Sequence, residues 1–175
     1  MFKILLILGL GLASMASSLN IQKGEITAHT EVFGDSQINP STKEINTFLT
    51  IDNSIESIQG KIYFDSISLI SQKKDRDENM YELLNIEKYK TISFNIISVV
   101  KNETNYDING ILTLNGISKN ITSKSSINDE NAVILLNGGF SFNLSDFGLE
   151  PPKMLFLTVR NQIDISYNIA LNKVK

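Results

Sequence analysis

The residues with reactive side chains are few and far apart. His29 is the single histidine of the 175-residue chain, and there is no cysteine. That removes disulfides, thiolate nucleophiles, thiolate-bound zinc and a lipidated cysteine, and it leaves imidazole chemistry with little to work with. No G-x-S-x-G elbow holds a serine on a strained turn, and His29 stands in a strand-like segment with no positioned nucleophile. The carboxylates are scattered: Asp77 and Asp146 are candidates at most, with nothing to pair them. Arg76-Asp77-Glu78 reads as the solvated start of a helix. Asp146-Phe147-Gly148 copies a kinase triplet without the glycine-rich loop, strand lysine or catalytic loop that give it meaning. Sequons at Asn102, Asn120 and Asn143 matter only in a glycosylating host. The residue types therefore predict neither an enzyme nor a metal site.

Charge narrows the classes further. The chain carries 16 Lys+Arg against 19 Asp+Glu, a net charge of −3. Such a balance argues against a nucleic-acid partner, which needs a basic face to displace counterions from phosphates. Hydrophobic residues at 42% suffice for a sizeable core, and charged residues at 20% argue against wholesale disorder.

The first residues have a different purpose. Met1-Phe2-Lys3 is a short positive start, Ile4 to Leu12 is uncharged, and Ser14-Met15-Ala16 puts small residues three and one before a cut after Ala16. This is the layout of a cleaved export signal, and the run is far shorter than the roughly 20 apolar residues of a membrane span. The expectation is a leader, 1–16, followed by one soluble domain, 17–175. In a double-membraned bacterium the destination is the periplasm.

Beyond the leader the chain alternates with period two. Ile45, Thr47, Leu49 and Ile51 share one strand face; so do Ile58, Gly60, Ile62 and Phe64, and so do Ile92, Phe94 and Ile96. Tyr106, Ile108, Leu112 and Leu114 alternate around Gly110, Ile117, Ile121 and Ile127 line one side of the next segment, and Ile163 to Leu171 is the cleanest case. Period-two patterns bury one face and wet the other, as in antiparallel sheets. Asn115-Gly116 is a two-residue hairpin signal, and a phase change at Ile96-Ile97 predicts a bulge. One stretch departs: acids at Asp75, Asp77 and Glu78, then Met80, Leu83 and Leu84 at helical spacing, predict a short helix over about 77–86 with Asp75 or Asp77 as its cap. About eight strands with one inserted helix favour a closed barrel, because closure removes edges and an eight-stranded interior holds a small ligand.

The strands are long. Twelve residues at about 3.3 Å each span about 40 Å, more than a compact filled barrel of this size requires. Phe64, Phe94, Phe140 and Phe142 fall in the inward phase, joined by Tyr106 and Tyr167. An apolar lining along a long barrel makes a tunnel for an elongated lipid.

Four motifs in order carry a family resemblance: Asp75-Arg76-Asp77-x-x-Met80, Tyr89-x-x-Ile92-x-Phe94, Gly110-x-Leu112-Thr113-Leu114-Asn115-Gly116-x-x-Lys119, and Phe140 followed by Asp146-Phe147-Gly148. From about Gly24 to Leu171 the chain resembles the YceI-like family of polyisoprenoid-binding, lipocalin-like periplasmic proteins. The resemblance implies an all-β, extended eight-stranded antiparallel barrel with one short inserted helix, holding a polyprenyl lipid or an isoprenoid quinone. The expected lining is Ile62, Phe64, Met80, Leu84, Phe94 and Ile96 from the first half of the chain. Tyr106, Leu112, Leu114, Phe140, Phe142, Ile165 and Tyr167 complete it from the second. No covalent cofactor is expected, only the bound lipid or quinone. The expected partners are that long-chain isoprenoid, a membrane met transiently, and a second copy of the chain.

A tail-dominated site of this kind has a characteristic energetics. Burying roughly 40 carbons at about 0.8 kcal/mol each gives about 30 kcal/mol gross. That exceeds the ceiling of about 18–21 kcal/mol for noncovalent binding. Ordering the chain and leaving a membrane instead of water offset much of it, which suits shuttling. Two other readings stay open on the sequence. One is a side-chain-filled exported barrel used in protein interaction or stress response; the other is an enzyme acting on a lipid headgroup at the mouth.

Overall fold

The computed structural model describes residues 16–32, 35–130, 132–154 and 157–174. The expected leader lies outside the described residues except for Ala16, as do Gly34 and Asn131 of the expected turns. Alternation becomes eight principal strands: β1 (Ser17–Val32), β4 (Asn46–Ile51), β5 (Gln59–Asp65), β6 (Thr91–Asn102), β7 (Asn105–Leu114), β8 (Ile117–Glu130), β9 (Val133–Asn143) and β12 (Gln162–Val174). Each pairs antiparallel with its neighbour in chain order, and β12 closes back on β1 from Ser18↔Val174 to His29↔Asp164. The result is the closed antiparallel barrel that the sequence predicts, with a single α-helix inserted among the described residues.

The seam beside β1 is shared. Ser17–Leu19 pair with β4, Ile26–Thr27 with β3 (Ser41–Thr42), and the far end with β2 (Asp35–Ile38). A small hairpin of β10 (Lys153–Met154) and β11 (Leu157–Thr158) stands apart from the barrel sheet.

Local chemistry explains the regular parts. Asn115 (φ 50°) and Gly116 (φ 71°) make the β7–β8 turn, both in the left-handed conformation that an Asn-Gly hairpin supplies. The bulge falls where the phase changes: the β6–β7 register shifts between Ile96 and Ser98, leaving Ile97 exposed and returning Val99 to the interior. Gly110 serves a close approach. A Cβ there would stand 2.5 Å from Phe94 Cζ and 2.6 Å from the Asn95 carbonyl, so its absence lets the Phe94 ring lie flat against β7.

The helix α1 spans Lys74–Leu84, beginning three residues before the predicted start and ending two before the predicted end. Neither aspartate caps it. Lys73 is the N-cap, and its carbonyl accepts from the N–H groups of Arg76 and Asp77. The Asp77 carboxylate instead accepts from the Ser71 N–H at 2.8 Å, tying down the approach to the helix. Asn85 ends the helix in the left-handed conformation. Met80, Leu83 and Leu84 face the barrel as their spacing requires, against a cluster containing Phe64, Leu69 and Leu112.

Two buried clusters divide the interior. One, around Leu19, Leu49, Ile108, Ile134, Ile169 and Leu171, fills the end where β1 begins and β12 finishes. The other, around Phe64, Leu112, Leu114, Phe147 and Ile163, lines the end covered by α1.

Candidate functional site

Between these clusters lies a cavity of about 1150 Å³, walled mostly by apolar side chains and reaching the surface beside α1. Pockets for small molecules commonly measure about 300–1,000 Å³, so this one exceeds the usual range. Its walls are built by the alternation read from the sequence. On β12, Ile163, Ile165, Tyr167 and Ile169 descend from mouth to floor, and on the neighbouring β9 Phe142, Phe140 and Leu136 keep step with them.

Aromatic rings meet across the interior. Phe94 on β6 stacks against Phe140 on β9 with centroids 5.9 Å apart, although two strands separate them in the wall. Phe140 then meets Phe142 at 6.4 Å, and Phe142 meets Phe147 edge-on at 5.1 Å. Phe147 itself is fully buried. Its segment, Leu144–Phe147, is a 3-10 turn closed by Gly148 in the left-handed conformation, and its carbonyl accepts from Asn115 Nδ2 at 3.0 Å. The Asp-Phe-Gly triplet thus anchors a loop to the β7–β8 turn.

Of the thirteen residues expected to line a cavity, twelve border it: Ile62, Phe64, Met80, Leu84, Phe94, Ile96, Leu112, Leu114, Phe140, Phe142, Ile165 and Tyr167. Tyr106 does not. It points inward as its phase demands but lies in the filled cluster with Ile127 and Ile134, because β7 starts at the closed end and Tyr106 is its second residue. Ile26 and Ala28 on β1, whose segment lacks clean alternation, also border the cavity, as does Ser123, a small polar residue in the inward phase of Ile121 and Ile127. Leu136, Ile163 and Ile169 were legible by phase alone.

The mouth is charged. Its basic residues are Lys73, Lys74, Arg76 and Lys153, and its acidic ones are Asp35, Asp75, Asp77, Glu82 and Glu150. Arg76 ties the helix to β2: Nη2 lies 2.6 Å from Asp35 Oδ2, and Nη1 donates to the Gln37 carbonyl at 3.4 Å. The Gln37 N–H and then the Arg76 guanidinium hold the Asp35 carboxyl below the usual carboxylate range. On the outer wall Arg160 pairs with Glu31 and Asp164. The Ser141 hydroxyl and then Arg160 lower the Asp164 carboxyl likewise. His29 Nδ1 lies 2.6 Å from Asn39 Oδ1, a structural partnership.

The inner end carries one polar group of its own. Tyr167 reaches over Gly138 to Ser123 at 2.6 Å and Ser125 at 2.5 Å, and burial pushes its phenol pKa up. Among the described residues no three His, Asp or Glu side chains converge as metal ligands.

A closed antiparallel barrel, filled at one end and hollow and apolar at the other, places the chain in the class of barrels that enclose an elongated ligand space. The YceI-like domain family model matches residues 17–171, and the chain belongs to that family. Solved structures share the fold. BcnA from Burkholderia cenocepacia superposes with a TM-score of 0.74 at 14% identity, over 84% of this chain and 95% of that one. A YCEI protein of Campylobacter jejuni gives 0.66 at 17% identity, over 77% and 84%. A polyisoprenoid binding domain from Saccharophagus degradans, implicated in plant cell wall breakdown, gives 0.60 at 10% identity, over 92% and 99%. No curated protein sequence matches.

Proposed function

We propose that this chain is an exported binding protein that carries a long isoprenoid lipid inside the barrel. The observation that carries the reading is the cavity: about 1150 Å³, continuous, and walled by Phe64, Phe94, Leu112, Phe140, Phe142 and Ile165. At about 30 Å³ per water-sized group, that space takes roughly 40 carbon-sized groups, the scale of a chain of about eight isoprene units. A void this large lined by apolar atoms is costly to leave empty, since its walls forgo dispersion contacts that a hydrocarbon restores. Membership of the YceI-like family and the likeness to a polyisoprenoid binding domain support the same ligand class.

Residues 1–16 support export to the periplasm, where a carrier between membranes has work to do. Ile67 and Ile70, exposed on the segment that leads into the mouth, supply an apolar lip for brief contact with a bilayer. Native mass spectrometry of protein isolated from its own envelope tests the central claim. A retained mass that extracts as an isoprenoid supports it, whereas ligand-free protein that also refuses added polyprenols overturns it. N-terminal sequencing of the exported form, expected to begin at Ser17, tests the route. Sedimentation of the loaded protein tests the expected second copy.

A further inference from the structure

The three hydroxyls at the inner end form one ordered chain. Ser123 Oγ donates to the Gly139 carbonyl at 3.1 Å, an acceptor with no proton to return. All three protons find an acceptor when Tyr167 donates to Ser123 across 2.6 Å and Ser125 donates to Tyr167 across 2.5 Å. Every hydroxyl has committed its single proton. What remains on Ser123 and Tyr167, both of which border the cavity, are acceptor lone pairs.

Three strands cooperate to put this group there. Ser123 and Ser125 come from β8 and Tyr167 from β12, and the strand between them, β9, yields at Gly138. A Cβ on Gly138 would stand 2.6 Å from the tyrosine oxygen and 2.7 Å from Ser125 Oγ. Around the group the cavity is hydrocarbon: Ile108, Leu136 and Ile169. Charges line only the other end, where five acids face four bases and Arg76 is held by Asp35 and Gln37.

We propose that the lipid enters polar end first, as an uncharged isoprenoid whose terminal hydroxyl donates to the Ser123–Tyr167 pair, with its tail running outward past Phe140 and Phe142. The proposal rests on the carrier reading and gives it a ligand class: an isoprenoid alcohol or a quinol-type head. A phosphate-ended lipid fits neither end. At the floor its charge is buried with no cation beside it, and at the mouth five carboxylates face four cations, of which Arg76 is already held by Asp35. Burial keeps the Tyr167 phenol protonated, so the pair stays neutral.

Binding of three probes of equal length to the full mature chain tests this: a polyprenol, the matching polyprenyl phosphate, and a polyene hydrocarbon. The polyprenol is expected to bind roughly tenfold more tightly than either of the others, the scale of one buried hydrogen bond left unmade. Tyr167→Phe is expected to remove that advantage, so that the polyprenol and the hydrocarbon bind alike. Ser123→Ala is the second variant. It releases the tyrosine's proton, so a ketone-ended analogue should gain on the alcohol. A phosphate that binds best overturns the proposal and leaves the carrier reading standing. So does a Tyr167→Phe effect equal on all probes, or an alcohol preference unchanged in both variants. Failure of every probe to bind overturns the carrier reading itself.

Discussion

The two ends of this barrel are both apolar inside and do opposite things. At the closed end, Leu19, Ile134, Ile169 and Leu171 are almost wholly buried and pack against one another. At the open end, Phe94, Phe140, Phe142 and Ile165 are also inward-facing and apolar, yet only partly buried, because they surround space. The difference is one of what fills the space. At the closed end aliphatic side chains from β1, β4, β5, β7, β9 and β12, with Ile55 of the turn beside them, pack into one cluster. At the open end, under α1 and the Leu144–Phe147 turn, the inward side chains leave a cavity between them. The closed end gives the fold its stability, and the open end gives it capacity.

The largest expected effect probes the closed end. Ile134→Ala or Leu171→Ala opens a cavity in close packing and is expected to cost about 2–5 kcal/mol in urea unfolding. Loss of that size without loss of lipid from the folded fraction would set the two ends apart. Gly110→Ala tests their junction. Its Cβ would strike Phe94 and the Asn95 carbonyl, so about 1–3 kcal/mol of overpacking strain is expected together with lower lipid occupancy, as Phe94 is pushed into the cavity. Phe140→Ala at the open end is expected to cost only about 1–2 kcal/mol in the lipid-free protein, since one side of the ring already faces empty space. Phe142→Asp, which sets a charge in the lining, should abolish lipid retention measured by mass spectrometry. Equal stability losses at Leu171 and Phe140 would mean that the open end is as tightly filled as the closed one.

The smallest effect lies at the rim. Asp35 and Asp164 have carboxyl groups lowered by hydrogen bonds, chiefly from the Gln37 N–H and the Ser141 hydroxyl, with Arg76 and Arg160 assisting. A lowered folded pKa means that the unfolded chain binds more protons in that range. The stability so gained is complete above the ordinary carboxylate value of about 3.9 and is lost as pH falls through the lower folded values. Thermal melts of the protein and of Asp35→Asn between about pH 7 and pH 2 should therefore stay apart down to about pH 3.9 and converge below it. Both sites are partly open to solvent, so the separation at neutral pH should be slight.

Much of this was legible in the residues. Period-two alternation identifies strands because side chains of a strand point to opposite faces, whatever the strand's neighbours. That is why Phe94, Phe140, Ile165 and Tyr167 are recognisable as inward, why Asn115-Gly116 marks its hairpin, and why the phase change at Ile96-Ile97 marks its bulge. The helix was visible in Met80, Leu83 and Leu84, but its start was not. Asp77 resembles a cap in sequence, whereas in three dimensions its carboxylate serves the Ser71 N–H and the lysine before the helix takes the capping position.

What alternation cannot report is depth along the axis. Tyr106 and Leu112 share a strand and a face, yet one is embedded in the filled cluster and the other borders the void. Nor does it report which small polar residue meets a partner. Ser123 becomes part of a polar floor only because Gly138 leaves room for Tyr167 to cross an intervening strand. The sequence by itself determined the strands, their inward faces and the apolar character of what they enclose, since these follow from local geometry and side-chain solubility. The hollow, its blind end and the hydroxyls at its floor were decided by barrel closure, because distances across the axis depend on residues more than a hundred positions apart meeting between β1 and β12.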